Sequence, residues 1–454
     1  MISRGGLLRA LKGSPGSSTD VGFKAGLGRS LVVLSVLTVS LLLLLQAVPK
    51  LMKASAERPW DGFIDYGGAK EMLAGRDPYS DSSLKRIGLT KQFGLGHPPT
   101  TLVWFYPLAH LDLMMMKHVF TWITLIMLTF HLGLVTRELD LPCWPLLSLL
   151  TFTFLCQTDW FVLHLAQVDL SELIAFLYLM GWYFLRRGRE GPAGVMIGLA
   201  CTLKLYPGLM VVFLLLARRW RAAVAAGATY LVFVAEVLRQ LGPSAFRHFL
   251  EQTGSYANLW IANVRNASID GIVHRWFYPL WRVLPARPLL AKATLIMAVI
   301  SLVMFVIAHR ASRSHLHQAL EAPRLIDMPF ALFSILSMAP GPYQWEHYNV
   351  TLILPLMILL ADALSFRRDR GVSEARLVRS GFQLLLLAGV IAMLNVSLVR
   401  RNRVPALAQT HHMSVWWMLC WEWTTWLPWF TLATLLTIRL FQLRSFRMYT
   451  VRPG

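Results

Sequence analysis

This sequence has little cysteine, little acid and none of the signatures of soluble enzymes. Four cysteines stand in 454 residues. Cys143, Cys156, Cys201 and Cys420 fall in or beside apolar stretches without CxxC spacing, which argues against a disulfide framework or a zinc site. They read as small buried hydrophobes. Asp and Glu together number 24 against 44 Lys and Arg, a net charge of +20. In a soluble chain that imbalance would suggest nucleic acid. Here 56% of residues are hydrophobic, too many for a soluble protein of this length. The charge is explained instead by the positive-inside bias of membrane proteins, and no nucleic-acid role is expected. No HExxH, P-loop, GxSxG or EF-hand pattern occurs, so the common soluble-enzyme templates do not apply. Low-complexity stretches and visible internal repeats are also missing.

What is there is one apolar run after another. Hydropathy places spans near 31–49, 113–136, 143–158, 162–185, 192–204, 206–217, 222–240, 288–309, 326–340, 346–364, 380–399 and 414–438, about twelve in all. The expectation is an all-α polytopic membrane protein. Its parts would be a basic cytoplasmic N-terminus (1–29), a transmembrane domain (30–440) and a cytoplasmic tail (441–454). Long outside loops fall at 50–112 and 241–287. The arginine clusters at 186–189, 218–221, 310–324, 367–379 and 439–452 then share the cytoplasmic face. Ala54-Ser55-Ala56 resembles a signal-peptidase site, but the preceding apolar run is as long as a full span, which favours an uncleaved signal anchor. The stretch 192–217 is too short for two full spans. Lys204 and Pro207 favour a break, because broken backbone at membrane depth is tolerated where it lines a polar cavity.

Three places could carry chemistry. WDGFIDYGGAKEMLAGRDPYSD, residues 60–81, sets Asp61 and Asp65 one helical turn apart at a membrane face. A carboxylate there can serve as a general base, or the acids can simply cap an interfacial helix and its turn. Lys204 lies between apolar runs, where a cation faces a cavity or anionic ligand or snorkels to the interface. Arg265 and Arg275 in the second outside loop, and Arg400, Arg401 and Arg403 in the last, break the inside bias and suit anionic headgroups or a phosphorylated substrate. Glu346 and His347 stand at the outer end of a span between Trp345 and Tyr348, as acid–base chemistry or as part of an aromatic belt. His411-His412 and the tryptophans from Trp416 to Trp429 read as interface anchors.

Together these segments resemble glycosyltransferase family 87, membrane enzymes of the GT-C type that use polyprenol-phosphate sugars. The motifs come in the family's order over residues 61–347. Asp61 to Tyr79, including Tyr66, is followed by His97-Pro98-Pro99 to Pro107-Leu108. Gln167 then stands in an apolar helix, and Lys204 and Pro207 precede Arg218-Arg219. Asn266-Ala267-Ser268 and Arg275 come next, and Pro340 with Trp345-Glu346-His347 closes the series. Two positions depart from the pattern: Gly62 stands where an aromatic is usual, and a GQxN-like element reads Ala166-Gln167-Val168-Asp169. The resemblance implies an inverting transferase that moves mannose, or in some branches arabinofuranose, from a polyprenyl phosphate to a glycolipid or glycan acceptor outside the cytoplasmic membrane. Asp61 would be the base, with Asp65 as its rival. Lys204, Arg275 and His347 would stabilise the leaving phosphate, with Asn266, Gln167, Tyr66 and Glu346 as further binding residues. No cofactor and no metal are demanded. A transporter or flippase for an amphiphile, and a non-catalytic lipid-binding remnant, are the alternatives.

Overall fold

The computed structural model describes residues 18–57, 59–90, 94–260, 266, 268, 286–338, 341, 344–365, 380–392 and 427–442. Among the described residues all regular structure is helical. A long first helix, α1 (Ser18–Ala56), gives way at Pro59 to α2 (Trp60–Leu73), followed by α3 (Asp81–Ile87) and α4 (Pro99–Trp104). These three fill most of the first outside loop expected from the sequence. Next come α5 (Leu113–Glu138), α6 (Trp144–Leu155), α7 (Asp159–Gln167), α8 (Ser171–Arg186), α9 (Glu190–Leu203), α10 (Gly208–Leu216), α11 (Trp220–Leu241) and α12 (Ser244–Trp260). The second half holds α13 (Ala286–Gln318), α14 (Asp327–Leu336), a 3-10 helix (Glu346–Leu352) running into α15 (Ile353–Ser365), α16 (Ser380–Ala392) and α17 (427–442).

Among the described residues four stretches are long and apolar enough to cross a membrane: Val33–Leu73, Leu113–Glu138, Trp220–Leu241 and His347–Ser365. The pair α6 and α7, bent by 74°, makes a fifth if it is one span. The break expected at 204–207 is present, since α9 ends at Leu203 and α10 begins at Gly208. The segment read as one span at 162–185 is instead α7 and α8, separated at Val168, whose backbone is left-handed (φ +58°).

Sidedness in these helices is the reverse of a soluble protein's. On α5 the buried face carries Lys117, Thr124, His131 and Thr136 beside Phe120 and Leu128, while Trp122, Ile126 and Phe130 point outward. Leu34, Leu42 and Leu45 of α1 and Val224, Leu231 and Val232 of α11 are likewise exposed. Large apolar side chains facing out along helices of this length fit a lipid surround. Inside, α9 packs between α8 and α11. Gly194 and Gly198 of α9 permit this approach: a Cβ at either would stand 2.1 Å from the Ala222 carbonyl oxygen or 2.5 Å from that of Ala226. Small residues four apart let two backbones touch, and in lipid such contact is a main source of helix–helix attraction.

The outer helices are tied by polar bonds. Glu71 accepts from Arg76, Arg86 and Ser83, so this loop acid braces α2 to α3. Asp77 takes the Tyr79 backbone N–H at 3.0 Å and pairs with His248 of α12 at 2.6 Å. Phe249 meets the Tyr79 ring edge-on, and Gln252 donates to the Tyr79 carbonyl. The Gly-Arg-Asp-Pro-Tyr turn is therefore the dock for α12.

Candidate active site

Asp61 stands in the first turn of α2, next to Pro59, which gives that helix start no side-chain cap. The cap comes from far along the chain: the Trp60 backbone N–H donates to Gln167 Oε1 at 3.2 Å. Gln167, expected among the binding residues, thus fixes the turn that carries Asp61. Gly62 explains its own departure from the family pattern, since a Cβ there would lie 2.6 Å from that of Val168. Lys117 of α5 donates to the carbonyls of Ala54 and Glu57, closing the end of α1.

Asp61 lines a small cavity with Ile64, Gly96, His97, Asp169, Trp345 and Tyr348. Asp169 was not singled out by the sequence reading, although an acid inside an apolar run was its signal. It is buried and takes four neighbours. Its Oδ1 accepts from the Ser171 backbone N–H at 2.7 Å and lies 3.5 Å from His164 Nδ1. Its Oδ2 lies 3.0 Å from Lys204 Nζ and 3.2 Å from His347 Nε2. Lys204 therefore does not snorkel; its ammonium is buried, 4.0 Å from the centre of the Tyr348 ring. The His347 ring is buried, with its Nε2 sharing Asp169 Oδ2 with the Lys204 ammonium.

The His97-Pro98-Pro99-Thr100-Thr101 segment joins the two halves of this site. Thr100 and Thr101 donate to the carbonyls of Thr202 and Leu203 at 2.7 Å each, ending α9 just before Lys204. The Tyr79 hydroxyl donates to the His97 carbonyl at 2.6 Å. On the α2 side, His97 Nδ1 lies 2.8 and 3.0 Å from the two oxygens of Asp65, which is wholly buried. Burial opposes a charge on the imidazole, but the Asp65 carboxylate outweighs it and raises His97 above its ordinary value.

The remaining expected site residues have other surroundings. The Tyr66 hydroxyl donates to the Leu111 carbonyl at 2.6 Å, with its ring under Lys70, a bracing position. Asn266 is buried and accepts from the backbone N–H groups of Ser268 and Gln344, tying its own segment to the approach to His347. Arg275 and the side chain of Glu346 lie outside the described residues, as do Arg265, Pro340, the last outside-loop arginines, and His411-His412 with the tryptophans from Trp416 to Trp426. For a metal ion, Asp61, Asp169 and His347 bring one ligand atom each within 4.8 Å of one another. The Lys204 ammonium already supplies a fixed positive charge against Asp169 at that point.

A carboxylate on a cavity whose wall includes an acid paired with a buried lysine, on a scaffold of apolar helices, suits group transfer from an anionic lipid donor. Residues 96–334 match glycosyltransferase family 87, and the chain belongs to that family; it is a glycosyltransferase. The match stops short of Asp61 and His347, which the fold brings to its edge. Over 338 residues the chain is 24% identical to a polyprenol-phosphate-mannose-dependent alpha-(1-2)-phosphatidylinositol mannoside mannosyltransferase of Mycolicibacterium smegmatis (strain ATCC 700084 / mc(2)155), covering 70% of this chain and 72% of that protein. No solved structure matches.

Proposed function

We propose that this protein transfers a hexose, mannose in the first instance, from a polyprenyl phosphate to a glycolipid or glycan acceptor at the outer face of the cytoplasmic membrane, with inversion. One observation carries the reading: Asp61 opens on a cavity whose far wall, Asp169, is held by Lys204 and His347. Asp61 deprotonates the acceptor hydroxyl, which attacks the anomeric carbon from the side opposite the phosphate. Lys204 and His347 then stabilise the charge that develops as the phosphate leaves. Asp65 is a poorer base than Asp61, being buried and occupied by His97. The relative's name supports polyprenyl-phosphate mannose as the donor and a glycolipid as the acceptor.

An apolar cavity of about 430 Å³ supports the lipid part of this reading. It lies among α1, α6, α15 and α16 and reaches Asn349, one residue beyond Tyr348. An isoprenoid chain seated there would bring its phosphate end toward the polar site.

The test is mannose transfer from synthetic polyprenol-phosphate mannose to an envelope-lipid extract, by purified wild type and Asp61→Asn. Labelled product from wild type alone is expected, with equal abundance of the two proteins. An active Asp61→Asn variant would remove Asp61 as base. Turnover of the arabinofuranose donor alone would change the sugar, and silence with both donors would overturn the transferase reading of this site.

A further inference from the structure

Among the described residues, His97 is the histidine that lines the cavity, and its ring is anchored from behind. Its Nδ1 faces both oxygens of Asp65, which is wholly buried. Among the described residues Nε2 has no hydrogen-bond partner, and His97 lines the cavity that Asp61 also lines. Its backbone is fixed too, by the Tyr79 hydroxyl on its carbonyl and by Pro98 and Pro99 leading into α4. A residue that merely filled space would need neither the buried carboxylate nor the free nitrogen. A carboxylate at Nδ1 fixes the orientation of the ring and stabilises imidazolium, so that the other nitrogen can donate.

We propose that His97 is a catalytic residue of the transfer, donating from Nε2–H to a non-bridging oxygen of the departing polyprenyl phosphate, with Asp65 as its positioning residue. The inference rests on the transferase reading of the site. The bond between the anomeric carbon and the phosphate oxygen breaks with its electrons staying on oxygen, while the acceptor oxygen bonds to that carbon. The acceptor proton goes to Asp61, and the His97 proton goes to the leaving phosphate. Passage of the proton from Asp61 to His97 then restores both groups, and the net product is the protonated polyprenyl phosphate monoanion. The raised proton affinity of His97 agrees with a donor role. Lys204 and Asp61 are the other charged groups near the ring, one opposing and one favouring its charge.

The test compares wild type, His97→Gln and Asp65→Asn with two synthetic donors, polyprenol-phosphate mannose and its phosphorothioate, in which a non-bridging oxygen is sulfur. Sulfur is a weak acceptor, so a hydrogen bond to that oxygen shows as slower transfer from the thio donor. Wild type should discriminate between the donors. His97→Gln should lower kcat by about 10²–10³-fold, the usual loss on removing one charge-stabilising donor, with donor KM little changed and the thio discrimination reduced. Asp65→Asn should shift both readouts the same way by less. A His97→Gln enzyme within twofold of wild-type kcat, or one that keeps full thio discrimination, would overturn the proposal while leaving the transferase reading intact. A loss confined to donor KM would also overturn it. Should His97→Gln fail to fold, Asp65→Asn decides on the same two readouts. A wild type inactive with both mannosyl donors would overturn the mannosyl reading on which this proposal rests, and the proposal with it.

Discussion

At the scale of single residues, the site depends on which buried acid meets which base. Asp61, Asp65 and Asp169 are the same side chain in three situations. One is at a cavity, one is behind a histidine, and one is gripped by a lysine and a histidine. A buried carboxylate without a partner is costly, and these partners set the three acids apart. Lys204→Met tests the cationic half. It should weaken donor binding by roughly 10–100-fold, the range for losing a charged hydrogen bond, as read by donor KM or by competition with polyprenyl phosphate. Unchanged donor affinity would leave Lys204 as the partner of Asp169 and nothing more. Of the residues expected from the sequence, Asp61, Lys204 and His347 come together. Gln167, Tyr66 and Asn266 instead bond to backbone groups, among them Trp60, Leu111 and Gln344, each at least 45 residues away. Residue type alone could not separate a binding amide from a capping one, because both need the same donors and acceptors.

At the scale of elements, the break between α9 and α10 is the feature most easily read from the sequence. Pro207 cannot continue a helix, and Lys204 would not sit against lipid. The closeness of α9 to α11 was not read, although its cause is local. Gly194→Ala should unfold at lower temperature than wild type in detergent, by the equivalent of about 1–3 kcal/mol, because the new methyl meets the Ala222 backbone and not a side chain that can turn away. Gly191→Ala, in the same helix with open space around it, is the control and should leave the melting temperature unchanged within error. Equal melting of all three proteins would mean that α9 and α11 do not touch there.

At the scale of the whole molecule, outward apolar faces and an inward polar seam make a scaffold that keeps charged chemistry inside a lipid environment. The apolar cavity among α1, α6, α15 and α16 gives this scaffold a place for a long tail. Donors shortened to a few isoprene units should then show raised KM at little-changed kcat, since the lost contacts are equal in ground and transition states. Identical kinetics for short and long chains would remove that cavity from donor binding.

Determined by the sequence itself were the helical, apolar character of the chain, the break at 204–207 and the order of motifs that marks family 87. These follow from hydropathy, from proline chemistry and from residue types at short spacing. Only the tertiary structure decided that Asp169 belongs to the site, that Asp65 backs His97, and that Gln167 caps the helix bearing Asp61. Each of these contacts joins residues 32 to 178 positions apart. Such pairings arise when helices pack and buried polar groups must find partners. No local pattern specifies which of several acids a given lysine or histidine will meet.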